Sequence, residues 1–147
     1  MLFATEAWER FSFYGMRAIL VLYMVKALGF AKDEAIHVYG NSTALIYLTP
    51  LLGGYLADRF FGYRRAILFG GVVMAAGQFC LSVGTLPFFW AGIALLIVGN
   101  GFFKPNISTV VGTLYDEGDP RRDRGFTIFY MGINLGALLS QIGRAHV

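Results

Sequence analysis

Glu6-Ala7-Trp8-Glu9-Arg10-Phe11-Ser12-Phe13-Tyr14-Gly15-Met16-Arg17 puts four ionisable side chains into a segment otherwise fit for a membrane. At 100° per residue, with Glu6 as zero, Glu9 falls at about 300°, Arg10 at about 40° and Arg17 at about 20°, so the four charges share one helix face. Trp8, Phe11, Ile19 and Leu22 occupy the opposite face and suit lipid or a neighbouring helix. A charge at the bilayer centre costs roughly 2.5–3.5 kcal/mol even on lenient insertion scales, so four on one helix must pair or line a wet cavity. The plain alternative is an ordinary i,i+4 ion pair of Glu6 with Arg10, which leaves Glu9 and Arg17 without a reason.

The composition agrees with that setting. Of 147 residues, 56% are hydrophobic and only 14% charged, and the apolar residues gather into long runs, as in a membrane protein. Nineteen glycines fit the class, since glycine lets membrane helices approach closely. The net charge of +3 comes mainly from short arginine clusters between spans, which argues for topology and against nucleic-acid binding. Cys80 is the single cysteine, so no internal disulfide forms, and it reads as a small core residue.

Five membrane helices are expected, at about 2–28, 35–57, 66–86, 88–115 and 125–140. The first ends at Gly29, with Lys26 snorkelling from its last turn. Only five residues precede Glu6, too few for a signal peptide, and the helix start looks cut. The second carries Tyr39 and Tyr47 on one face; the fourth holds Lys104 near its midpoint, too deep to snorkel comfortably, with Pro105 after it to kink the helix. Loops at 58–65 and 116–124 carry three arginines each and fall on one side of the membrane. That side is the cytoplasmic one, which puts the N-terminus in the cytoplasm. An odd number of spans suggests a fragment. Residues 1–140 form the expected half-bundle. Gln141 to Val147 puts Arg, Ala and His where apolar residues should continue, and its codons would resemble a sequencing-adapter read-through; the alternative is a genuine polar helix end. Residues 141–147 are therefore left out of functional reasoning.

No metal-spaced His/Cys set, phosphate loop or activated nucleophile is present in the sequence, so an enzyme has little to stand on and no cofactor is expected. His37 is solitary and close to an interface. Among Glu6, Glu9, Arg10, Arg17 and Lys104, full ionisation leaves one surplus positive charge, which a substrate carboxylate can balance. Glu6 and Glu9 repel each other, which favours a proton on one of them unless Arg10 offsets it.

The Glu6-x-x-Glu9-Arg10-Phe11 run with Tyr14-Gly15 and Arg17 resembles the first-helix signature of proton-dependent oligopeptide transporters of the major facilitator superfamily. Gly54 through Arg65, with Asp58, Arg59, Gly62 and Arg64, resembles the superfamily-wide conformational motif between helices 2 and 3. Gly99-Asn100-Gly101-Phe102-Phe103-Lys104-Pro105-Asn106 and Phe126 through Leu138, with Gly132-Ile133-Asn134-Leu135-Gly136, resemble two further signatures of the peptide transporters. The resemblance covers five of at least twelve helices, and implies that helices 1–3 form one repeat and 4–5 begin its inverted partner. It implies that Glu9, Arg10 and Lys104, with Glu6 in their network, take part in proton coupling, with protons as the coupling ion. It also implies that Arg17 and Lys104 hold a peptide carboxylate while Tyr14, Tyr47 and Asn134 line the peptide site. Phe13 departs from the pattern, where family members often carry tyrosine. The expected activity is symport of di- and tripeptides across the cytoplasmic membrane. The missing C-terminal half would act as partner to this one, with small peptides, protons and the lipid bilayer as the other partners and no nucleic acid. A proton-linked facilitator for another anion such as nitrate, or a non-transporting receptor or assembly subunit, remains as an alternative.

Overall fold

A computed structural model describes residues 1–116 and 118–144, with backbone alone at 61, 143 and 144. Five long helices follow one another: α1 (Leu2–Lys26), α2 (Lys32–Leu56), α3 (Tyr63–Ser82), α4 (Leu86–Thr113) and α5 (Arg121–Arg144). By length and composition, α3, α4 and residues 121–142 of α5 qualify as membrane spans among the described residues. At 1.5 Å per residue, the 25-residue α1 and α2 also reach across the roughly 30 Å hydrocarbon core. The charges of α1 and the polar residues of α2 lower their apolarity, so the expected second span rests on its length.

Several helix ends differ from the expected ones. The Lys32-Asp33-Glu34 segment, read as loop, forms the first turn of α2, where Asp33 and Glu34 meet the partial positive charge of a helix N-terminus. Helix α3 starts at Tyr63 and takes Arg64 and Arg65 out of the loop; it stops at Ser82, before Gly84 turns the chain at φ 77°. Helix α5 starts at Arg121, four residues early, because Asp119 Oδ1 accepts the Arg121 backbone N–H at 2.8 Å and Pro120 lies at its threshold. Arg121, Arg122 and Arg124 therefore belong to its first turns. The helix also continues past Ser140 to Arg144. Of the tail set aside above, 145–147 lie outside the described residues.

The chain forms two compact units, Met1–Val21 with Val111–Val147, and Leu22–Val110. In the first, α1 and α5 run parallel and meet at two glycines four residues apart. A methyl group on Gly132 would come within 2.8 Å of the Phe3 carbonyl, and one on Gly136 would strike the Ala7 carbonyl. This small-x-x-x-small pairing brings the two backbones close, with the Phe3 ring packed at Gly132 and the Arg10 stem at Gly136.

The second unit repeats that device. Gly70 and Gly77 of α3 face Gly99 and Gly92 of α4 in antiparallel order, with would-be methyl groups 2.7–3.0 Å from the opposing carbonyl oxygens. Helix α2 runs parallel to α4: Thr49 donates to the Ile97 carbonyl at 3.0 Å, and Gly53 abuts the Gly101 carbonyl. That carbonyl is the one Pro105 leaves without its helical N–H partner. Tyr23 donates to the Leu81 carbonyl at 2.8 Å, and Phe30 packs on Phe89 and Trp90, closing one end of the unit.

Candidate functional site

In the first unit, α1 buries the charges that its sequence gathers on one face. Glu6 is 2% exposed and Arg10 4%, whereas Trp8 on the opposite face is 74% exposed. Phe11, Ile19 and Leu22 are exposed with Trp8, as the helical wheel predicts. Arg10 Nε donates to Glu6 Oε1 at 2.7 Å, and Glu9 Oε2 lies 2.9 Å from the same nitrogen. Nε carries one hydrogen, so the directed bond goes to Glu6 while Glu9 is held by charge. The simple Glu6–Arg10 pair does exist, but Glu9 belongs to the same cluster. With both carboxylates ionised, the cluster carries a surplus negative charge in a setting that penalises one. Glu6 Oε2 has no hydrogen-bond partner among the described residues.

Helix α5 determines where Arg10 sits. A methyl group on Gly136 would approach Arg10 Cβ to 2.8 Å, so the glycine sets the room for the guanidinium stem. Sequence reasoning placed Gly132 and Gly136 in a motif but did not see this role; their spacing of four was the available signal. Asn134, between them, is exposed on α5. Tyr14 and Arg17 are half-buried on α1, and the Tyr14 ring meets the buried Phe13 ring edge-on at 5.6 Å. An unsubstituted phenyl at Phe13 suits that buried place, where a phenol would need a hydrogen-bond partner.

In the second unit, α4 carries Lys104 and α2 carries Tyr47. The Lys104 ammonium lies 4.8 Å from the centroid of the Tyr47 ring, within cation–π range. Within the first unit the structure joins Glu6, Glu9 and Arg10, and within the second it joins Lys104 with Tyr47. The motif between α2 and α3 forms a wide turn over Ala57–Phe61, closed by the Gly62 N–H donating to the Ala57 carbonyl at 2.8 Å. Gly62 has φ 74°, a conformation that favours glycine. Tyr63 donates to the exposed Asp58 carboxylate, and the Arg59 guanidinium lies 5.9 Å from the Phe60 ring. A methyl group on Gly54 would lie 3.5 Å from Pro105 Cβ, an ordinary packing distance, and Arg64 and Arg65 are exposed. Nothing in residues 57–62 marks the turn as wide rather than an ordinary helix end.

Known proteins share this sequence and fold. The profile of the POT family matches residues 64–147. An uncharacterized transporter of Bacillus subtilis (strain 168), YclF, is 48% identical over 147 residues, spanning 96% of this chain and 30% of its own length. A di-/tripeptide transporter of Lactococcus lactis subsp. lactis (strain IL1403) is 44% identical over 149 residues, with the same two shares. The crystal structure of a POT family transporter in complex with a thioalcohol-conjugated peptide superimposes with a TM-score of 0.92 at 45% identity, over 99% of this chain and 31% of that one. This chain therefore spans about a third of the length of the relatives it matches. With the family profile covering more than half of it, the chain belongs to the proton-dependent oligopeptide transporter (POT) family, as an all-α, multi-pass integral membrane protein of the major facilitator fold.

Proposed function

We propose that these helices act within a longer proton-coupled symporter that carries di- and tripeptides across the cytoplasmic membrane, with the N-terminus in the cytoplasm. The observation that carries this reading is the buried cluster of two carboxylates on one guanidinium at Glu6, Glu9 and Arg10. One proton neutralises its surplus charge, and protonating Glu9 leaves Arg10 paired with Glu6 alone. Such a change in charge is what a two-state bundle needs in order to respond to protons. Lys104 joins the coupling, with the proton as coupling ion and no cofactor required. Arg17 and Lys104 hold the peptide carboxylate, the first by its planar fork and the second as a point charge, while Tyr14, Tyr47 and Asn134 line the peptide site. Gly54, Asp58, Arg59, Gly62, Arg64 and Arg65 serve the conformational change. The name of the Lactococcus relative, a di-/tripeptide transporter, and the peptide bound in the matched crystal structure support the substrate class. The arginine clusters at 59–65 and 121–124 support the orientation.

The test is uptake by the full-length protein in proteoliposomes under an imposed pH difference. Accumulation of labelled dialanine that an uncoupler abolishes supports the proposal. Uptake of nitrate in its place would move the substrate to inorganic anions, and no uptake of either would favour a receptor or assembly subunit.

A further inference from the structure

Helix α4 runs through Pro105 without ending there. Proline lacks the N–H that would close the turn onto the Gly101 carbonyl, and its ring crowds that same carbonyl. From α2, the Gly53 backbone abuts the open carbonyl, which packs it but brings only Cα–H groups, weak donors, to its oxygen. The turn 101–105 is therefore the least secured of α4, and it carries Lys104.

Asn106 follows Pro105 and has 1% of its surface exposed. A buried primary amide is destabilising unless it is hydrogen-bonded. Its Nδ2 donates to the Phe102 carbonyl at 2.6 Å. That bond stays within α4, so it does not tie two helices together. Phe102 is the rung next to the open one: in an α-helix its carbonyl receives the backbone N–H of residue 106. Relief of the crowding at Gly101 tilts the neighbouring rung as well, and the side-chain amide supplies that rung with a second donor. Beyond the proline, Thr109 Oγ1 likewise donates to the Pro105 carbonyl at 3.1 Å. Toward α3, the Phe102 ring is fixed edge-on against Phe69 at 5.2 Å.

We infer that Asn106 is a positioning residue for Lys104: its amide braces the Phe102 carbonyl beside the rung that Pro105 opens, and so fixes the turn that holds the lysine against Tyr47. The margin for that contact is small. The ammonium is 4.8 Å from the ring centroid, and the attraction fades beyond about 6 Å. At about 5–6 Å from the axis, the outer radius of a helix, a rotation of roughly 15° displaces a group by about 1.5 Å. A slight twist of the unbraced turn is enough to lose the contact. The consequence for transport rests on the role given to Lys104 above, whereas the bracing does not.

The test uses the full-length protein in detergent, with isotope-labelled dimethyl groups on its lysines, which keep their charge. Lys104 is assigned by the resonance missing in Lys104→Arg, and its ring-current shift by comparison with Tyr47→Leu. Asn106→Leu is expected to move the Lys104 resonance to its Tyr47→Leu position, while Asn106→Ser, whose hydroxyl can donate to the carbonyl four residues back, keeps it shifted. A resonance unchanged in Asn106→Leu overturns the inference. Melting temperatures test the link to the proline: Asn106→Leu is expected to lower the value less in a Pro105→Ala background, where the Gly101 carbonyl regains its N–H. An equal loss in both backgrounds overturns the bracing. If the leucine variant does not fold, Asn106→Ala against Asn106→Ser makes the same comparisons. In proteoliposomes Asn106→Leu is expected to reduce proton-driven dialanine uptake about tenfold, with Asn106→Ser restoring most of it. A protein that moves no dipeptide overturns the transport reading but leaves the resonance and melting tests decisive.

Discussion

Gly136 of α5 faces Arg10 of α1 so closely that a methyl group on the glycine would come within 2.8 Å of the arginine Cβ. The helix contact and the buried charge cluster thus share one residue. Gly136→Ala is expected to destabilise the protein by about 1–3 kcal/mol, the usual cost of overpacking. It should also impair proton-driven uptake more than Gly15→Ala does, since a Cβ on Gly15 meets nothing within 4 Å. Equal effects of the two changes on melting temperature and uptake would separate Gly136 from the cluster.

Glu9→Gln keeps the shape of the side chain and removes its titration. Proton-driven accumulation of dipeptide should collapse, while exchange of peptide for peptide, which need not cycle the proton, should survive at least in part. Concentration of dipeptide against its gradient by this variant, under an imposed pH difference, would move the proton to Glu6 or to another part of the protein.

Arg17→Ala should chiefly weaken peptide binding. Charge-assisted contacts of this kind contribute on the order of 1.5–3 kcal/mol, or roughly ten- to a hundredfold in affinity. Lys104→Ala should reduce both binding and proton-driven uptake. Unchanged dipeptide affinity in Arg17→Ala, measured by calorimetry, would take the carboxylate away from Arg17.

At the start of α5, the Asp119 carboxyl is held below its ordinary value of 3.8, first by its hydrogen bonds with the Arg121 side chain and then by the Arg121 backbone N–H. A depressed value in the folded state means that the cap's contribution is complete above 3.8 and is lost as pH falls through the lower, folded value. The Arg121 backbone amide resonance should therefore titrate below 3.8. Asp119→Asn should abolish that titration while keeping an oxygen for the cap. A transition at 3.8 or above would show that the bonds are not maintained in solution.

The polar face of α1 could be read directly from the sequence because every residue needed for it lies within twelve positions. One wheel predicts both the burial of Glu6 and Arg10 and the exposure of Trp8. Helix ends were less legible: Arg64, Arg65 and Arg121 read as loop because charges between spans look alike whether or not their backbone is helical. The capping by Asp119 before Pro120 was the signal at one of those ends. Glycine spacings of four at 132 and 136, and of seven at 70 and 77, were visible as well. Their partners were not, since a sequence does not say which helices touch, and the contact of Gly136 with Arg10 spans most of the chain.

The paired glycines of α3 and α4 also bear on how this unit can move. Side chains at an ordinary helix interface change rotamer as one helix slides on another, and so absorb small displacements. Where Gly70 opposes Gly99 and Gly77 opposes Gly92, the backbones come close and the Met74 and Leu81 side chains are already seated against Gly99 and Gly92, which leaves little room for a rotamer to take up the slip. Either helix sliding along its axis would carry Met74 and Leu81 off those glycines and against bulkier neighbours. The pair behaves as a keyed joint, free to rock as one body and blocked in shear, so bending within this unit has to come from places such as Pro105, where the ladder of α4 is already open.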